Sequence, residues 1–82
     1  MNYSEAQQVF LRMLEQQISQ QTPTFVAPQL KRLLALGHSE TYAKMLMASV
    51  LAYVTGRQIE RDEAFNTPLY EQLLARLPQL PQ

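Results

Sequence analysis

The chain has 82 residues, seven basic and seven acidic side chains, and no cysteine. A length of this order is one domain, burying roughly 60–65% of the surface its unfolded chain would expose, so a deep catalytic cleft is hard to build. Disulfides and thiolate metal sites are excluded. The balanced charge lacks the basic stripe of a nucleic-acid binder.

The first helix is expected over about 5–20. Ser4 is its cap, and Gln7 stands three residues on, as in a capping box. Ala6, Phe10, Met13, Leu14 and Ile18 fall at helical spacing and make one apolar face, which Val9 and Leu11 widen. Gln16, Gln17, Gln20 and Gln21 give its end a neutral, solvated surface. Pro23 and Pro28 then break the pattern, so the second helix begins between them, near residue 26, and runs to about 36. Leu30, Leu33 and Leu34 are its expected buried set, with Lys31 and Arg32 pointing away. Gly37 ends it, because glycine takes the left-handed conformation without strain.

Ser39 caps a third helix expected over about 40–62. Its segment 42–54 has almost no polar face, interrupted by Lys44 and Ser49 alone. A helix apolar nearly all round must be covered nearly all round, which places this one at the centre of a bundle. Ala43, Leu46, Met47, Val50, Leu51 and Val54 form its main stripe. Gly56 is tolerated at a cost of about 1 kcal/mol, and Ile59 is expected to point inward. The last helix, about 67–77, starts at Asn66 or Thr67 with Pro68 in its first turn. With Asn66 as cap, Phe65 and Tyr70 occupy the staple positions. Leu69, Leu73, Leu74 and Leu77 are its apolar face. Pro78 and Pro81 close the ordered chain, leaving 79–82 as a tail. The expected architecture is therefore all-α: a single compact bundle of about four helices around a central apolar one.

Chemistry is sparse in this pattern. His38 is the sole histidine and lies in the turn between the second and third helices, while a metal site needs three or four ligands. Asp62 and Glu63 are adjacent and diverge on a helix. Ser4 and Ser39 read as helix caps rather than nucleophiles. The chain is expected to be no enzyme, with no catalytic, cofactor-binding or metal-binding residue. The apolar segment falls short of the ~20 residues that span a bilayer, and no signal peptide is read at the start; a soluble, cytoplasmic protein is expected.

Two function classes compete. The leading one is a protein-interaction module, either a homodimer or an adaptor for another protein. Met45, Ala52 and Tyr53 are its expected interface, on faces of the third helix that short neighbours leave uncovered. Met13, Met45 and Met47 suit adaptable packing at such a surface. The alternative is a small DNA-associated regulator using residues 30–50 as a helix-turn-helix, with helix, Gly37 turn, Ser39 cap and second helix in place. Its second helix would have to leave the core to read base edges, which disfavours it. A helical pocket for an apolar ligand is a third reading.

Residues 33–78 carry a further pattern: Leu33-Leu34, Gly37-His38-Ser39, Ala43, Glu63, Phe65-Asn66, Tyr70 and Leu74-Ala75-Arg76-Leu77-Pro78. In this it resembles a group of small uncharacterised bacterial all-helical proteins. That resemblance implies a helical fold and a bacterial origin, and brings no activity with it. Members of the group often carry histidine inside the apolar helix, where this chain has Met45, Leu46 and Met47.

Overall fold

Ser4 and Gln7 open the fold reciprocally: the Gln7 backbone N–H donates to the Ser4 hydroxyl at 3.2 Å, and the Ser4 N–H donates to the Gln7 side chain at 2.8 Å. This capping box satisfies two donors that a helix start otherwise leaves unpaired. It launches α1, Glu5–Gln20. The computed structural model describes residues 4–81; Gln82, the last residue of the expected tail, lies outside them. Three further helices follow: α2 Val26–Ala35, α3 Glu40–Arg61 and α4 Thr67–Arg76. All four expected helices are present, with ends within one residue of the expected ones, and no strand occurs among the described residues.

The helix ends follow local chemistry. Gly37 adopts φ +97°, and the Gly37 and His38 N–H groups donate to the carbonyls of Leu34 and Leu33. That double closure ends α2 and turns the chain sharply into α3. Ser39 then caps α3 by accepting from the Tyr42 N–H at 3.1 Å, and Asn66 caps α4 by accepting from Leu69. Pro78 favours an extended residue before it, and Leu77 accordingly leaves the helix at ψ 145°.

The core gathers around α3, which packs against each of the other helices. Ala43, Leu46, Met47, Ala48, Val50, Leu51 and Val54 are buried from α3, joined by Leu14, Val26, Leu33, Tyr70, Leu73, Leu74 and Leu77. Phe65 and Tyr70 meet edge to face with centroids 5.5 Å apart, the staple expected from their offsets about Asn66, and Phe25 closes on the other side of Tyr70 at 5.6 Å. The Tyr70 hydroxyl donates to Gln17 Oε1 at 2.7 Å, tying α4 to α1.

Several expectations about single residues are corrected. Met13 and Leu34 are each 39% exposed. The short helices bury narrow stripes, Phe10-Leu14-Ile18 on α1 and Val26-Leu30-Leu33 on α2. Met13 stands one residue before Leu14 and Leu34 one residue after Leu33, each about 100° round its helix from the buried side chain. Ile59, expected to point inward, is 75% exposed. It stands seven residues beyond Ala52, hence on Ala52's side of the helix, opposite Val50 and Val54. Arg32 does not point away: its guanidinium donates to the carbonyls of Leu74 at 3.1 Å and Leu77 at 2.9 Å, with Nε on the Gln29 side chain at 2.7 Å. A cation from α2 thus caps the C-terminal end of α4.

Gly56 lies within α3, where a methyl group added to its backbone would meet no atom within 4 Å. Gly56→Ala is therefore expected to stabilise the fold by about 0.5–1 kcal/mol, since glycine loses the most backbone freedom in a helix and nothing obstructs the side chain. Urea unfolding at low protein concentration measures it; a destabilised variant would refute the open-space reading.

Candidate functional site

The outward side of α3 is the surface that the bundle leaves incomplete. α1 runs along α3 in the opposite direction: Glu15 reaches Lys44 at 3.4 Å near one end, and Ala6 and Gln7 approach Ala52 near the other. Between the two helices lies an open groove of about 140 Å³. Ala6, Gln7, Phe10 and Leu11 line it from α1; Met45, Ala48, Ser49 and Ala52 line it from α3. Its walls are mainly apolar. Its one hydroxyl, on Ser49, already donates to the Met45 carbonyl at 2.9 Å. The groove therefore offers contact area and shape rather than directed polar groups.

Of the expected interface residues, Met45 and Ala52 come together in this groove, both half-buried. Tyr53 lies outside it. One position further round α3, it borders a separate hollow with Leu73, Arg76, Leu80 and Pro81, and the Arg57 guanidinium lies 5.9 Å from its ring centroid. The α1 wall was absent from the sequence reading of the interface. Phe10 belongs to the apolar face of α1, and only the pairing of α1 with α3 shows that it stays partly open and lines the groove.

The remaining polar groups are engaged elsewhere. Lys44 bridges Glu40 at 2.9 Å and Glu15 at 3.4 Å. The hydrogen bond to Glu40 leads in raising its pKa, against the opposing effect of partial burial. Such an ion pair contributes at most about 1 kcal/mol. The His38 ring sits 5.4 Å from Tyr42, tilted at 43°. Among the described residues no three histidine, aspartate or glutamate side chains come together to hold a metal ion, and no helix is long and apolar enough to cross a membrane. Every buried side-chain nitrogen or oxygen among them is hydrogen-bonded. Comparison with protein-family models, curated proteins and solved structures returned no match for this chain.

Proposed function

We propose that this chain is a non-enzymatic protein-interaction module of a bacterial cytoplasm, working by self-association through the outward face of α3. The observation that carries the reading is the groove itself: Met45, Ala52 and Phe10 stand only partly covered in an apolar trough, and Ile59 extends the same helix face into solvent. Contiguous apolar surface on a small domain marks an interface. The volume favours a protein partner over a small ligand, since ligand sites usually enclose about 300–1,000 Å³. A DNA-associated role has less support. α3 supplies half of the buried core residues, its exposed first turn carries Glu40, and Lys44 is held by two carboxylates.

The test is mass against concentration. Light scattering after size exclusion should give a mass that climbs from 9.5 kDa towards twice that value as the chain is concentrated. Met45→Lys should weaken association by about tenfold or more, because a buried ammonium without a partner is costly to desolvate. A mass fixed at 9.5 kDa up to millimolar concentration would sink the reading.

A further inference from the structure

We infer that the occupant of the groove is α3 of a second copy, lying antiparallel across the first with a twofold axis at Ala52. The inference rests on the interaction reading above and specifies its geometry. Its starting point is Ile59, the most exposed large apolar side chain described, at 75%. At 100° per residue, Met45, Ser49, Ala52, Gly56 and Ile59 fall within about 80° of one another, on the side opposite Ala43, Val50 and Val54. Their spacing alternates four and three, the repeat by which two helices share a seam.

The seam is nearly its own reverse. Met45 precedes Ala52 by seven residues and Ile59 follows it by seven; Ser49 lies three before and Gly56 four after. Two antiparallel copies centred on Ala52 would set Ile59 of each beside Met45 of the other, Ser49 beside Gly56, and Ala52 beside Ala52. Such matching of unlike residues across a twofold axis is what a self-complementary interface requires. The large side chains lie at the two ends and the small ones at the crossing, where they let the helix axes approach towards about 8 Å.

The details of the surface agree. The groove beside Met45 holds about 140 Å³, the scale that admits one benzene-sized apolar group, and so one isoleucine side chain. Gly56 opens onto free space within a single copy, and the crossing gives that space an occupant. The Ser49 hydroxyl is already bonded to Met45, so burial strands no donor. No seam residue is charged. The fourteen steps from Met45 to Ile59 span about 21 Å. Two faces of that length, each about 10 Å wide, bury on the order of 400 Å² together, about a third of the roughly 1,200 Å² of a stable interface, which makes the pairing weak and transient.

The absence of cysteine from the chain makes single-cysteine cross-linking direct. In a glutathione redox buffer at about 100 µM chain, Ala52→Cys should link to its own copy. It should do so about tenfold faster or more than the exposed control Leu36→Cys, because the twofold axis raises the local thiol concentration. Ile59→Cys alone should link no faster than that control, its two copies standing about 21 Å apart in the dimer, against the 4.4–6.8 Å between Cα atoms that a disulfide allows. An equimolar mixture of Met45→Cys and Ile59→Cys should give the mixed dimer in preference to either self-linked product. Circular dichroism checks that each variant keeps its helices. A dimer by light scattering in which Ala52→Cys links no faster than Leu36→Cys overturns this geometry and leaves self-association standing. A strict monomer overturns both.

Discussion

Tyr70→Ala is expected to lose about 3–5 kcal/mol of folding free energy, as truncation of a buried aromatic does. A domain of this length has about 4–12 kcal/mol in total, so the variant loses a large share of its stability and should melt well below the wild type. Tyr70 is fully buried, meets Phe25 and Phe65 edge to face, and hydrogen-bonds Gln17 from another helix. Three inter-element contacts therefore end with one side chain. Tyr70→Phe keeps the ring packing and gives up the hydroxyl bond, at about 1 kcal/mol. Urea denaturation separates the two variants; an alanine variant within about 1 kcal/mol of wild type would show that the cluster does not organise the core.

The same residue sets a response to alkali. Burial raises the Tyr70 phenol above its ordinary pKa of 10.0. The unfolded chain releases this proton near pH 10, whereas the folded chain retains it. The stabilisation is thus fully present below pH 10 and is lost as pH rises towards the folded-state value, at up to about 1.4 kcal/mol per pH unit. Lys44, whose pKa is also raised, loses stability in the same direction, but it does so equally in wild type and Tyr70→Phe. The difference between those two proteins should therefore shrink above pH 10. A difference constant from pH 8 to 11 would contradict the assignment.

Arg32→Ala is expected to cost about 1.5–3 kcal/mol, the range for hydrogen bonds to a charged group. The guanidinium holds two carbonyls at the end of α4 and is itself oriented by Gln29. Arg32→Lys retains the charge but not the planar fork, and should recover less than half of the loss. Arg32→Met keeps the aliphatic stem and isolates the polar contribution. Thermal melts of the three in parallel decide it; an alanine variant indistinguishable from wild type would mean that water replaces the cap without penalty.

Tyr70 and Arg32 mark what the sequence could and could not disclose. The Phe65-Asn66-Tyr70 staple was legible because its members stand at fixed offsets about one helix start, as do Ser4 with Gln7 and Ser39 with Tyr42. Arg32 joins carbonyls 42 and 45 residues away. No local periodicity carries that information, and a cation on a short helix reads by default as solvated. Ile59 failed for another reason. An inward assignment follows from its apolar character past Gly56, whereas its angular phase places it with Met45 and Ala52. The α3 half of the groove is readable as uncovered surface, whereas its α1 wall depends on which helix lies beside α3, a tertiary choice that three shorter amphipathic segments leave open.

The aromatic cluster also gives the molecule an optical reporter of its own closure. The chain contains no tryptophan, so tyrosine governs its near-ultraviolet signal. Among the described tyrosines, Tyr42 is 47% exposed and Tyr53 is partly exposed, while Tyr70 is fixed in one chiral setting by two rings and a hydrogen bond. Near-ultraviolet dichroism therefore reads the docking of α4 against α1 and the α1–α2 connection, and far-ultraviolet dichroism reads helix content. If the two signals melt together, the four helices form one cooperative unit. If the tyrosine band fades first, the helices outlast their packing, and the chain passes through a loosened bundle before it uncoils.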